Sequence, residues 1–141
     1  MNLNKNVKVI KVLAGASSAG TTLTSSAVDT QGFEGVMFVG SIATANAGNF
    51  AKVQQSRDDG SSDAYADLEG TKLVTGDDAD SFLIDINKPR ERYLKCLVVR
   101  GGADTVTGDV YAILYGPRKA PTTHGSTIDA ETHASPAEGT A

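Results

Sequence analysis

The chain has 141 residues, the size of one domain that can bury a hydrophobic core without metals or disulfides. Its formal net charge of -4 provides no basic field to attract phosphate backbones, so we expect no nucleic-acid partner. We also expect no membrane partner, because no segment approaches the ~18 apolar residues that cross a bilayer, and the N-terminus carries no export signal. The 15 glycines and the many small polar residues indicate frequent turns and predict an all-β fold.

Three strands are predicted in the first part of the chain. Residues 7–13 read as a strand with apolar side chains on both faces. Residues 15–30 are small and polar, and we expect a long loop or an irregular edge strand there. Residues 33–42 form the second predicted strand, which is apolar on both sides and is therefore central or covered by a partner. Residues 50–55 form the third, with a half-exposed pattern.

Four further strands are predicted after an acidic connection. Residues 56–70 are rich in Asp, Ser and Gly, which favour turns, and we expect a surface hairpin connection or a short irregular excursion. A brief strand follows at residues 71–75, and residues 81–87 show the clearest alternation in the chain. The last two predicted strands are residues 92–100 and 110–115.

The strand at residues 92–100 contains the single cysteine. Cys96 lies in the apolar run YLKCLVV, where a free cysteine is usually a small buried hydrophobe, and this fits assembly in a reducing cytoplasm. Period-two alternation predicts inward-facing Leu94, Cys96 and Val98, and outward-facing Tyr93, Lys95 and Leu97.

These elements predict a two-layer antiparallel β-sandwich with a C-terminal arm. Its strand order is either jelly-roll or immunoglobulin-like. Residues 1–32 contribute an N-terminal strand and a small-residue loop to the same domain, and residues 33–121 form the sandwich core. Residues 122–141 have too little apolar surface to offset their ordering entropy, so we expect a flexible or extended tail.

Two groups of residues invite a metal hypothesis. Hard cations prefer oxygen ligands, but the spacing of the Asp-rich stretches departs from an EF-hand, and solvated turns are the favoured interpretation. These stretches contain Asp58, Asp59, Asp63, Asp67, Asp77, Asp78 and Asp80. A zinc pair is the second hypothesis, for His124 and His133, and mobile solvated side chains are favoured over it. We therefore predict neither a metal nor another cofactor.

No motif indicates catalysis. The chain has no Gly-x-Ser-x-Gly nucleophile elbow and no P-loop, and Cys96 falls in a predicted core strand. Both histidines lie in the predicted tail, and no pair of carboxylates stands out. We predict that the protein is not an enzyme and has no catalytic residues.

The basic Pro-Arg motifs are the candidate binding residues. Lys88, Arg90, Arg92 and Lys95 surround one predicted strand entry, and Arg118 and Lys119 follow another strand exit. Arginine pairs carboxylates through two parallel hydrogen bonds, so a positive patch here suits a protein interface, whereas the alternative is a set of solvated strand-end charges. Outward aromatic and aliphatic side chains would add apolar contact surface, unless a second sheet covers them. These side chains are Tyr93, Tyr111, Tyr115, Leu97 and Ile113. The candidate partner-binding residues are Arg90, Arg92, Tyr93, Tyr111, Arg118 and Lys119.

The succession KVQQSRDDGSSDAYADLEG, INKPRERYLKCLVVRGG and YAILYGPRKAP resembles small structural proteins encoded among the head genes of tailed bacteriophages. The resemblance covers roughly residues 33–121 and is to capsid decoration, or cement, proteins. It implies a protein on the capsid exterior, assembled in the host cytoplasm, that binds across neighbouring major capsid proteins and stabilises the shell. It also implies contacts with other copies of itself, often as a trimer.

Two alternatives stay open at this point. A carbohydrate- or host-surface-binding β-sandwich module would usually present exposed aromatic residues, and this chain has no Trp, four Tyr and four Phe. A tail or head-completion subunit of the virion would differ from a decoration protein in copy number.

Overall fold

The structure is a computed structural model that describes residues 1–77 and 80–141, and in these the chain forms antiparallel sheets with one short helical turn. The elements are α1 (Leu3–Asn6), β1 (Val7–Leu13), β2 (Ala16–Ala19), β3 (Leu23–Thr24), β4 (Val28–Asp29), β5 (Gly35–Ser41), β6 (Asn49–Ser56), β7 (Ala66–Asp67), β8 (Leu73–Val74), β9 (Ser81–Asn87), β10 (Tyr93–Arg100), β11 (Thr105–Thr107) and β12 (Val110–Tyr115). The predicted all-β class is confirmed. Within the described ranges, no helix has the length and apolar character needed to span a bilayer.

Four long strands form one sheet in the order β1-β12-β5-β9. The first and last long strands of the chain are neighbours in it, with Val7 opposite Tyr115. The alternating sequence pattern of strand β9 matches its burial, since Phe82 and Ile84 are buried whereas Leu83 is 53% exposed. Period-two burial of this kind places one face of the sheet on the core and the other face toward solvent.

The second large sheet is built around two strands of eight residues, β10 and β6, which pair along their whole length. Two-residue strands flank this pair: β3 and β4 on β10, and β7 and β8 on β6. Strands β11 and β2 form a separate small ladder. The region 15–30, expected to be a loop or an irregular edge strand, therefore contains three short strands.

One hydrophobic core connects the two large sheets. Buried side chains of the four-stranded sheet and of the β6–β10 pair belong to the same cluster, which gives the fold a sandwich-like character. Its fully buried members include Val36, Phe38, Ile42, Val53, Leu94, Cys96, Val98 and Leu114. The predicted inward positions of β10 are thus confirmed.

Leu97 does not add to the exposed apolar surface, although alternation places it on the outward side of β10. Leu97 is only 9% exposed. Its cross-strand neighbour is Lys52, and such pairs lie on the same face of a sheet, so the aliphatic stem of the lysine can cover the leucine. Alternation predicted the side of the sheet correctly, but it could not predict that long side chains cover that side.

The C-terminal strap, residues 122–128, lies along the outer edge of β1. The backbone N–H of Thr122 donates to Lys5 O at 3.0 Å, and that of Gly125 donates to Val9 O at 2.9 Å. In the opposite direction, the Val9 N–H donates to Nδ1 of His124 at 2.9 Å. The strap therefore satisfies edge groups that point away from β12, whereas residues 129–141 are exposed at every position. The predicted flexibility of residues 122–141 stays a prediction.

Candidate partner-binding cleft

Both Pro-Arg motifs contribute to one open cleft of about 620 Å³. Its walls come from three segments that follow or precede strands: residues 30–34, residues 88–92, and Gly116 with Arg118. Arg90, Arg92 and Arg118, three of the predicted binding residues, are thus brought together although the two motifs lie far apart in sequence. We refer to this surface as the arginine cleft.

Backbone hydrogen bonds fix the three walls to one another. The N–H of Lys88 donates to Glu34 O, that of Arg118 donates to Gly32 O, and that of Thr30 donates to Arg92 O, each at 2.9 Å. These bonds tie together turns that would otherwise move independently, so the cleft is part of the rigid fold.

Two turns aim the arginine-bearing segments. After β12 the chain turns at Gly116, which has φ +60, and a Cβ there would lie 2.5 Å from the Cβ of Glu34. Only glycine accommodates that backbone and that close approach, and Pro117 then restricts the direction of the chain toward Arg118. After β9 the turn passes through Lys88 at φ +51, and Pro89 ends the ladder before Arg90.

Arg92 is held by an ion pair within the protein. Its Nε and Nη2 donate to the two carboxylate oxygens of Asp29 at 2.8 and 2.7 Å. The hydrogen bond from Arg92 holds the pKa of Asp29 below its ordinary value. The guanidinium also lies 5.0 Å from the ring centre of Tyr93. Arg92 is therefore fixed in position and largely neutralised.

Arg90 and Arg118 are both exposed. Within the described residues, no carboxylate oxygen lies within 4.0 Å of either guanidinium. The cleft is lined by four cationic side chains and by the carboxylates of Glu34 and Glu91, and Asp29 pairs with one of the cations, Arg92. The remaining formal charge of the cleft is +1, on a protein of formal charge -4. This local field is opposite in sign to that of the whole chain.

The other predicted binding residues lie elsewhere. Tyr93 is not part of the lining, although its ring lies under the Arg92 guanidinium, and exposed Lys119 follows Arg118 outside the lining. Tyr111 lies toward the other end of β12, where its hydroxyl is 3.3 Å from Asp109. It shares the outer face of the four-stranded sheet with half-buried Ile113.

No sequence pattern predicts the positions of two carboxylates, Asp29 beside Arg92 and Glu34 in the cleft lining. Asp29 lies in β4 and reaches Arg92 because β4 pairs with β10, whereas Glu34 directly precedes β5 and lines the cleft. Asp29 is 63 positions from Arg92 in the chain. Neither local composition nor spacing can indicate such a contact.

The acidic connection is organised by its own backbone. Asp58 accepts hydrogen bonds from the backbone N–H groups of Ser61, Ser62 and Asp63 at 3.1, 2.9 and 3.1 Å, and from the hydroxyl of Ser62. These donors, the Ser62 hydroxyl foremost, lower the pKa of Asp58 to about 2. The loop geometry is therefore explained by side-chain-to-backbone hydrogen bonds.

No group of three or more potential metal ligands is found in residues 1–77 and 80–141. Asp78, one of the carboxylates in the calcium hypothesis, lies outside the described residues. His124 holds the strap to β1, and Nε2 of His133 lies 2.9 Å from Glu131, so the two histidines make separate contacts.

No protein-family model matches the chain, and no curated protein matches it. Its function is therefore argued from the geometry and chemistry of its own surface.

Proposed function

We propose that the protein is a structural component of a tailed-bacteriophage virion that decorates the capsid and stabilises it by binding across neighbouring major capsid proteins. The observation that carries the proposal is the arginine cleft, in which two distant Pro-Arg motifs meet on a frame fixed by backbone hydrogen bonds. A rigid surface of this kind suits docking without chemistry.

The proposed architecture is a two-layer antiparallel β-sandwich with a C-terminal arm, of jelly-roll or immunoglobulin-like order. The single hydrophobic cluster shared by the two large sheets supports the two layers. The exposure of residues 129–141 supports an arm that orders only on a partner, because these residues bury little surface on this chain.

The proposed mechanism is mass action. A protein that binds the assembled shell but not the dissociated subunits lowers the free energy of the shell by its binding free energy. Repeated contacts over the lattice, through the arginine cleft and the arm together, raise the effective affinity above that of one contact. The location is the capsid exterior, after assembly in the host cytoplasm.

Contacts between copies of the chain, in a trimer, are the second part of the proposal. The outer face of the four-stranded sheet supports them, because Tyr111 and Ile113 are only half-buried and Leu83 is 53% exposed. Apolar side chains grouped on an open sheet face are typical of a subunit contact.

Particles assembled with and without the protein test the proposal. We expect particles that lack it to release DNA at a lower temperature, and added wild-type protein to restore the release temperature. The Arg90→Gln/Arg118→Gln variant should restore it poorly, whereas Lys72→Gln, changed at an exposed lysine beside Phe50 and remote from the cleft, should restore it fully. Unchanged DNA release after depletion would show that the protein does not stabilise the shell.

A further inference from the structure

We infer that the arginine cleft binds an acidic, extended segment of a partner protein, and that Arg90 and Arg118 are the residues that grip its carboxylates. The assignment of that partner as a capsid protein rests on the proposed function. The chemistry of the bound segment rests on the cleft alone.

The arginines of the cleft have different roles. Arg92 already uses its Nε and Nη2 donors on Asp29, at 2.8 and 2.7 Å, so its best-oriented edge is occupied within the chain. Arg90 and Arg118 are exposed and, among the described residues, have no carboxylate partner within 4.0 Å. Their planar guanidinium groups can each form a pair of parallel hydrogen bonds with an incoming carboxylate.

The shape of the cleft fits a short segment. Its volume of about 620 Å³ lies within the range of ~300–1,000 Å³ that ligand sites occupy. Phe33 lines it and is half-buried against the hydrophobic core, so the cleft combines an apolar surface with basic groups. A glutamate side chain offers both matching parts, an aliphatic stem and a carboxylate.

The acidic groups in and beside the cleft disfavour the binding of a nucleic-acid strand. Glu34 and Glu91 line the cleft, and the carboxylate of Asp63 lies near Glu91. Desolvation and the charge of Asp63 both raise the pKa of Glu91. A DNA strand carries one phosphate charge per ~3.4 Å, so a strand leaving the cleft would bring further phosphates against these carboxylates. A peptide that carries one or two carboxylates can avoid them.

The frame of the cleft is pre-organised for binding. Arg118 N is bonded to Gly32 O, and Arg92 O accepts from both the N–H and the hydroxyl of Thr30, at 2.9 and 2.8 Å. The backbone therefore need not be ordered when a segment binds, which removes part of the entropic cost of association.

Fluorescence anisotropy with a labelled hexapeptide Ala-Glu-Ala-Glu-Ala-Ala, which carries two carboxylates and is capped at both ends, tests the inference on the full chain. The matched probe replaces each Glu with Gln, and a (dT)6 oligonucleotide represents a phosphate polyanion. We expect the Glu peptide to bind at least about tenfold more tightly than the Gln peptide, with affinity falling as salt rises. Arg90→Gln/Arg118→Gln should weaken binding of the Glu peptide at least about tenfold. The control is Lys72→Gln, because exposed Lys72 lies over Phe50 at the end of the β6–β10 pair remote from the cleft, and this change should alter binding less than about twofold.

Equal binding of the two peptides, an unaffected double variant, or tighter binding of (dT)6 than of the Glu peptide would overturn the inference. Both changed arginines are exposed, and circular dichroism of each variant checks that its fold is intact. Particle binding is measured separately. Wild-type protein that binds particles but not the Glu peptide refutes the carboxylate assignment alone, whereas protein that binds the peptide but not particles refutes the capsid role alone.

Discussion

Replacing Arg100 with Met tests how the end of the fold remote from the arginine cleft is held. Arg100 is 2% exposed, and its guanidinium donates to three backbone carbonyls: Ser17 O at 2.7 Å, Thr21 O at 2.9 Å and Thr105 O at 3.0 Å. A fourth bond reaches the Thr21 hydroxyl at 2.7 Å. One side chain thus joins β10 to the segment around β2 and to β11.

The expected loss of stability on replacing Arg100 follows from these four hydrogen bonds. Hydrogen bonds to a charged group contribute about 1.5–3 kcal/mol each when counted singly, but bonds to one side chain are not additive. Ser17 and Thr21 are exposed residues, so water can reach their carbonyls once the guanidinium is gone, whereas Thr105 is 1% exposed. Methionine keeps much of the aliphatic packing. We therefore expect Arg100→Met to lower the free energy of unfolding by about 3 kcal/mol.

Urea denaturation measures this loss. With an m value of about 2 kcal/mol/M, the midpoint should fall by about 1.5 M urea. Arg92→Met is the matched control, because it removes an arginine whose ion pair is exposed, and it should cost less than about 1 kcal/mol. Arg100→Lys should fall between, since an ammonium keeps the charge but cannot reproduce the guanidinium fork. If Arg100→Met costs no more than Arg92→Met, the four hydrogen bonds do not stabilise the fold.

Three further predictions concern the strap, the acidic loop and the core. His124→Ala should speed hydrogen exchange of the Val9 amide by about fivefold, because that N–H loses an acceptor worth about 1 kcal/mol. Ser62→Ala should raise the pKa of Asp58 above its value of about 2, as measured by NMR titration of the carboxyl group. The Asp58 contribution to stability is present above the ordinary aspartate pKa and is lost as pH falls through about 2, because the folded-state pKa is the lower one. Cys96 should react with a thiol reagent only after unfolding, since burial raises its pKa to about 12.

The first two of these predictions have matched control variants. His133→Ala should leave Val9 exchange unchanged, because His133 contacts Glu131 and not β1 in the described structure. Ser61→Ala keeps the backbone N–H that Asp58 accepts and should leave its pKa unchanged. Slower Val9 exchange in the strap variant, a lower Asp58 titration midpoint in Ser62→Ala, or rapid Cys96 labelling of folded protein would contradict the respective prediction.

The strands could be predicted because their burial follows the period of the backbone. In β9 the alternation of Phe82, Leu83 and Ile84 is visible in the sequence and matches their exposure. The positions of the two Pro-Arg motifs were also predictable, since each motif follows the end of a predicted strand. The sequence could not show that the two ends meet, because this depends on the strand order in the sheet.

Polar contacts over long sequence distance account for what sequence reasoning missed. Residues 122–128 have little apolar surface, so no sequence pattern indicates that their backbone groups pair with Lys5 and β1. Similarly, Arg100 stood at the end of a predicted strand, where charged residues are usually solvated. Its partner Thr21 is 79 positions away, and no local pattern encodes that contact.

The arginines near the two ends of β10 have opposite roles. This difference supports the inference that Arg90 and Arg118 bind a partner. Arg92 and Arg100 lie at the two ends of β10, about 25 Å apart at ~3.3 Å per residue. At one end, the guanidinium of Arg100 donates to backbone carbonyls of the same chain, so few of its N–H groups are available to a partner. At the other end, Arg92 forms an ion pair with Asp29, whereas Arg90 and Arg118 present their guanidinium groups to solvent. A residue that docks a partner must keep unsatisfied donors in the free protein. Among the described residues, Arg90 and Arg118 meet this condition, because they have no carboxylate within 4.0 Å, unlike Arg92, and are exposed, unlike Arg100. Changes at the two ends should accordingly separate stability from binding: Arg100 affects unfolding, whereas Arg90 and Arg118 affect association.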